Sequence, residues 1–189
     1  MGRYVVGMSG ASGAILAQKA ISRLVEAHHS VELVITKSAF RTIQEELHID
    51  SKAFLASLPP QVHYHDIDDM AATIASGSFP VDGMLIIPCS MATCAAIALG
   101  LSDNLLRRAA DVALKERRTL VLVPRESPLH AIHLENLAKL AHMGVVIAPP
   151  MPAWYMHPKT LAEVEDFIVA RAVSSLGVRI EYVGWKGLS

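Results

Sequence analysis

Tyr4-Val5-Val6-Gly7-Met8-Ser9-Gly10-Ala11-Ser12-Gly13 decides the fold. The apolar run from Tyr4 to Met8 ends in a glycine- and serine-rich turn, and Ala14 to Ala27 then carries apolar residues at helical spacing. Strand, tight turn and helix follow one another. Val31 to Thr36 reads as a second strand that closes a βαβ unit, with Lys37 to Leu47 as the next helix. Further strands are expected at Met84–Cys89, Leu120–Val123 and Val145–Ala148, and helices at Asn104–Arg118, His130–His142 and Leu161–Leu176. Residues 51 to 80, with Pro59-Pro60, His63 and His65, read as a connecting excursion with a short helix near Ala71–Ala75. The expected architecture is α/β: a three-layer α/β/α Rossmann-like fold with a mostly parallel sheet. One domain spans residues 1–189, with a C-terminal tail from about 177.

The 189 residues are 52% hydrophobic and 19% charged, enough for one sizeable core. A net charge of -1 excludes a dominant role in nucleic-acid binding, which needs a concentrated basic surface. The mean hydropathy of +0.36 is high, yet no apolar run reaches the roughly 18 residues of a membrane span. The excess is read as buried parallel strands and subunit interfaces. Cys89 and Cys94 are the only cysteines, too few for a disulfide framework, and reduced thiols in the cytoplasm are expected. No signal peptide precedes Tyr4, so the fold is expected to start almost at residue one.

In open parallel sheets ligands bind outside the carboxyl ends of the strands, and the polar residues of this chain collect there. Gly7, Gly10 and Gly13 are spaced G-x-x-G-x-x-G, unlike the dinucleotide fingerprint G-x-G-x-x-G. The turn either cradles phosphate at a helix N-terminus or serves strand–helix packing. A nicotinamide enzyme places an acid at the end of the second strand, to bond the ribose. Here Thr36-Lys37-Ser38 stands there, a hydroxyl beside a cation, which moves FMN ahead of NAD. Ser90-Met91-Ala92-Thr93 forms a second anion loop after a buried strand. Lys115 and Arg125 form a phosphate site if the fold brings both to the strand ends, with Glu126 as an acid or base beside it. Ser12 does not lie in a G-x-S-x-G elbow, so a hydrolase is not expected. The pairs His63/His65 and His130/His133 lack a zinc pattern and are read as surface or capping residues, with no metal.

Gly10-Ala11-Ser12-Gly13, Pro88-Cys89-Ser90-Met91-Ala92-Thr93, Pro124-Arg125-Glu126 and the long run from Arg108-Ala109-Ala110-Asp111 through Lys115-Glu116-Arg117-Arg118 occur together and in order. In that combination the chain resembles the UbiX/Pad-type flavin prenyltransferases, from the first strand to Trp185. The resemblance implies a flavoprotein fold and transfer of a dimethylallyl group from dimethylallyl monophosphate to N5 and C6 of reduced FMN, without a metal. Flavin is then a substrate, and the prenylated FMN serves a UbiD-type decarboxylase. Decarboxylase names in the family reflect that partner's chemistry. Gly10, Ala11, Ser12, Thr36, Ser90, Met91, Ala92, Thr93 and Arg125 match positions that hold FMN, with Ser12 near the reacting N5. Glu46, Lys115, Arg125, Glu126, Tyr155 and Arg171 match positions around the dimethylallyl phosphate, and Trp185 matches an aromatic tail that encloses the prenyl group. Ser12, Lys115 and Glu126 are thereby the expected catalytic residues. Thr36 in place of a common Ser, Trp154 in place of Phe and Thr119 in place of Pro each keep the functional groups. The resemblance further implies a homododecamer with sites at subunit junctions, to which Arg171 and Trp185 of a neighbour contribute.

Two other functions compete. An FMN-dependent cysteine-type decarboxylase shares the fold, but its group carries a P-A-S-A-N-T-type motif where this chain has Pro88-Cys89-Ser90-Met91-Ala92-Thr93. A non-catalytic FMN carrier has no need of a second phosphate site at Lys115, Arg125 and Arg171. Which decarboxylase receives the product, and whether in quinone synthesis or aromatic acid breakdown, stays open.

Overall fold

In a computed structural model of the chain, residues 1–182 and Gly184 are described; Trp185 lies outside the described residues. Six strands form one sheet: β1 (Arg3–Met8), β2 (Ser30–Ile35), β3 (Val62–His65), β4 (Gly83–Cys89), β5 (Thr119–Pro124) and β6 (Val146–Ile147). Their order is β3-β2-β1-β4-β5-β6, and every pairing is parallel. The chain winds outward from β1 in one direction and returns to start β4 on its other side. The crevice above the ends of β1 and β4 is therefore the topological switch point where ligands of such sheets bind.

The apolar runs are continuous because both faces of the sheet are covered. Tyr4, Val6 and Met8 of β1 pack with Leu33, Ile35, Leu85 and Ile87 beneath α1 (Ala14–Glu26) and α7 (Leu161–Ser174). Val5, Val34, Met84 and Ile86 face the opposite layer, which includes α4 (Met91–Ala98), α5 (Leu105–Lys115) and Leu140 of α6 (Ala131–His142). Side chains alternate between the faces with the period of two that a strand imposes. The first layer also takes α2 (Lys37–Leu47) through Ala39 and Ile43, and α3 (Ser51–Ala56) through Phe54. Phe54 is fully buried, which stabilises this region by on the order of 2 kcal/mol.

The structure corrects the reading of residues 51–80 as an irregular excursion. It holds α3, the edge strand β3 and a single 3-10 turn at Thr73–Ala75. β3 is Val-His-Tyr-His, two histidines in four residues, so its composition concealed a strand that its pairing with β2 creates. His65 is anchored by the buried Glu32, 2.7 Å away, which also takes Arg3 at 3.3 Å. Helix α5 ends at Lys115, earlier than the expected Arg118, because Arg117 adopts a positive φ of 55°.

Candidate active site

Three loops meet at the switch point. Ser9, at the end of β1, is 1% exposed, and its hydroxyl donates to the Pro88 carbonyl at 3.2 Å. The Ser90 N–H donates in turn to the Ser9 hydroxyl at 2.7 Å, which locks the β1 loop to the β4 loop. Arg125, after β5, donates its backbone N–H to Cys89 (3.1 Å) and its Nε to the Ser12 carbonyl (3.4 Å). Hydrogen bonds through the Ser9 hydroxyl and through the backbone and side chain of Arg125 thus tie the three loops together.

The glycines of the first loop have separate tasks. Gly13 has φ 120°, a conformation that side chains resist, and it stands as the N-cap of α1. At Gly10 a Cβ would run into the Ser38 hydroxyl, so the loop can approach α2 only without a side chain. The N-terminus of α1 is occupied from within the chain. The Glu46 carboxylate accepts the Gly13 N–H at 2.9 Å and the Ala14 N–H at 2.7 Å, and it also accepts the Ser12 hydroxyl. The dipole of this helix thus faces an internal carboxylate.

Partial burial pushes the Glu46 carboxyl up, but the hydrogen bonds from Ser12, Gly13 and Ala14 and the charge of Arg125 outweigh it and hold the group below the ordinary carboxylate range. A depressed pKa contributes stability that is present above the unfolded value of about 4.3 and is lost as pH falls through the folded value. Glu46→Ala is therefore expected to lower stability by about 1–2 kcal/mol at pH 7. The gap from wild type should shrink as pH falls below about 4. Urea midpoints measured across that range check both the size and the sign.

The anion seat lies beside this cluster, where three other helices begin. Thr36 caps α2, its Oγ1 accepting Ala39 N–H at 3.1 Å; Ser90 caps α4, accepting Thr93 N–H at 3.3 Å; Asn104 caps α5, accepting Arg107 N–H at 3.0 Å. The three N-termini border one cavity of about 500 Å³, lined also by Lys37, Ser38, Asp68, Ala92, Asp103 and Arg107. Free N–H groups and positive dipole ends converge there, which suits a phosphate. Two cations stand at its wall, Lys37 paired with Asp68 at 2.7 Å and Arg107 with Asp103 at 2.7 Å. The cavity can seat the phosphate of a mononucleotide while leaving Ser12, Glu46 and Arg125 at the reacting end.

The family model described as Flavoprotein matches residues 2–173. The flavin prenyltransferase UbiX of Chlamydia pneumoniae is 53% identical over 180 residues, covering 94% of each chain. The chain belongs to the UbiX-type flavin prenyltransferase family. Its fold matches a dodecameric FMN-dependent UbiX-like decarboxylase from Escherichia coli O157:H7 with a TM-score of 0.91, at 46% identity over 98% of this chain and 100% of that one. A UbiX protein solved with FMN and dimethylallyl pyrophosphate matches with a TM-score of 0.89, at 41% identity over 97% of this chain and 98% of the other.

The family-derived positions fall into two groups in this chain. Gly10, Ala11, Ser12, Glu46, Thr36, Ser90, Met91, Ala92, Thr93 and Arg125 belong to the loops and helix ends of the switch point. Glu126 follows Arg125, exposed, its carboxylate accepting the Ser127 N–H at 3.0 Å. Lys115 lies at the opposite end of the strands. It ends α5 and pairs with Glu116 shortly before β5 begins, whereas Arg125 follows the last residue of that strand, about 20 Å away at strand rise. Arg171, on α7, donates to the Tyr182 hydroxyl at 3.1 Å and has no hydrogen bond or ion pair to the Ser12–Glu46–Arg125 cluster among the described residues. Tyr155 sits in the 3-10 turn Trp154–Met156, with its ring edge-on to Phe167 at 6.3 Å.

Ser9 and Asn104 stand at this candidate site without having been expected there, and Ser38 and Arg107 line its cavity. Ser9 and Ser38 stood inside the quoted loops, and their neighbours drew the attention; Asn104 heads a helix whose N-terminus became a wall of the cavity only in three dimensions. Both cysteines are buried, with sulfurs 3.4 Å apart, and burial pushes the Cys89 thiol up, which suits an inert packing role. His130 is a capping residue, as expected, accepting the His133 N–H at 3.4 Å.

Proposed function

We propose that the chain transfers a dimethylallyl group from dimethylallyl monophosphate to N5 and C6 of reduced FMN, releasing phosphate and making prenylated FMN for a UbiD-type decarboxylase. The observation that carries this reading is the cluster of Ser12, ionised Glu46 and Arg125 beside a cavity bordered by three helix N-termini. The flavin supplies a nucleophilic nitrogen and an aromatic carbon. The chain supplies the seat, the orientation and the management of charge and protons.

The caps Thr36 and Ser90, with Ser38, hold the FMN phosphate through hydroxyls and helix N-termini. Ser12 stands beside the ionised Glu46, and together the hydroxyl and carboxylate would take up a proton released at the flavin's N5. Arg125 carries positive charge to the point where the allylic carbon–oxygen bond breaks, and Glu126 beside it can relay a proton to the departing phosphate. Lys115, Tyr155 and Arg171 add donors to that phosphate.

Because Lys115 and Arg125 stand at opposite ends of β5 within one chain, the donor site is completed between subunits, and a homododecamer is the proposed assembly. Apolar side chains stand ready for such contacts: Ile132 and Leu134 of α6 are 63% and 54% exposed, and Leu99 and Leu101 follow α4. The proposed setting is the cytoplasm; no helix among the described residues is long and apolar enough to cross a membrane.

Thr36→Val removes the cap and one phosphate partner while keeping the shape. FMN is expected to bind about tenfold more weakly, the loss of one hydrogen bond to a charged group. Titration by flavin fluorescence checks it. For the reaction itself, phosphate release from dimethylallyl monophosphate should require reduced FMN and proceed in the presence of a chelator. Release that ignores the flavin would refute prenyl transfer.

A further inference from the structure

We propose that Tyr182 is a positioning residue for the donor phosphate, acting through Arg171 and, by way of Phe167, alongside Tyr155. The inference rests on the reading of the site given above and extends it to a residue outside its motifs. Arg171 Nη1 donates to the Tyr182 hydroxyl at 3.1 Å. The Tyr182 ring stands edge-on to Phe167, with centroids 6.3 Å apart and planes at 71°. Phe167 meets Tyr155 in the same way from its other partner, at 6.3 Å and 89°. Tyr155 and Arg171 come from different elements, a 3-10 turn and α7, and they are connected through the pair Phe167 and Tyr182.

Each contact has a physical role. An arginine on an exposed helix face samples many rotamers, and fixing it before the ligand arrives lowers the cost of binding. A phenol hydroxyl is a suitable tether, because it occupies one N–H of the guanidinium and leaves four others for a phosphate. It is also neutral, so it takes none of the positive charge that the phosphate needs. Edge-to-face aromatic contacts fix the ring that carries this hydroxyl. The same Phe167 lines the cavity beside Arg171, with Ala148, Pro149 and Met151, so the strut borders space open to a ligand.

The test is steady-state kinetics on the full-length chain under anaerobic conditions, varying dimethylallyl monophosphate and reduced FMN separately. Tyr182→Phe keeps the ring and deletes only the tether. It is expected to raise KM for dimethylallyl monophosphate about five- to tenfold, with kcat and the KM for FMN within about twofold of wild type, the pattern of lost uniform binding. Arg171→Ala should raise the same KM further. Adding Tyr182→Phe to Arg171→Ala should change nothing more, because the hydroxyl acts only through that guanidinium. A merely structural role would move Tm or FMN affinity instead. An unchanged KM in Tyr182→Phe, or effects that multiply in the double variant, overturns the proposal. An Arg171→Ala variant with wild-type KM removes Arg171 from the site and overturns it too. Failure of the unmodified chain to prenylate flavin is a separate result, which refutes the reading on which the proposal rests.

Discussion

Mixing two impaired variants, Lys115→Ala and Glu126→Gln, is expected to restore prenyl transfer. Lys115 closes α5 before the start of β5, and Glu126 follows the end of that strand. No rearrangement that keeps the parallel ladder brings the two together within a chain, since six strand residues separate their ends. A site that uses both must draw them from different subunits. Lys115→Ala alone removes a point charge from a leaving phosphate, and a loss of about 100-fold or more in rate is expected. In randomly mixed oligomers about a quarter of the junctions pair an intact Lys115 with an intact Glu126, so activity should return to about that share of wild type. Dissociation and reassembly of a 1:1 mixture, followed by a rate measurement, checks it. Activity no greater than the mean of the two variants would place both residues in one subunit's site.

Glu126→Gln is expected to keep flavin and lose rate. The side chain is exposed at the end of β5 and takes no part in the phosphate seat formed by Thr36, Ser90 and Asn104. Its neighbour Arg125 is anchored independently, by its backbone to Cys89 and by its guanidinium to Ser12, so the substitution leaves the surrounding geometry in place. What glutamine cannot do is exchange a proton. General acid–base catalysis contributes roughly 10²- to 10⁴-fold, and the single-turnover rate should fall within that span while FMN affinity stays at the wild-type level. An unchanged rate would remove the proton-transfer role and leave Arg125 and Lys115 to stabilise the phosphate unaided.

The parts of this account that were legible in the sequence share one property, that their signals are local. A five-residue apolar run, a glycine turn and a helical stripe define β1, the loop and α1 without outside help, and the same holds for the caps Thr36 and Ser90. β3 carried no such signal. Its histidines belong to an edge strand whose partners, Glu32 among them, come from β2, so only pairing explains them. The role of Glu46 was hidden for a related reason. The carboxylate reaches Gly13 and Ala14 across 33 and 32 residues of sequence, and no cap at that separation can be read from spacing. The family resemblance marked Glu46 as a site residue, and the structure adds what it touches, the two N–H groups that open α1. The same motifs gathered Lys115 with Arg125, which a single chain keeps apart, because a motif records what meets in an assembly and not which subunit provides it.

Prenyl transfer to flavin is tested most directly by the mass of the flavin after one turnover. The purified chain is mixed anaerobically with reduced FMN and dimethylallyl monophosphate, without added metal, and the flavin is released for mass and absorption measurement. Flavin heavier by one prenyl unit, in step with one phosphate released, is the result this account predicts. Flavin of unchanged mass that stays bound, with the diphosphate donor equally inert, would contradict it.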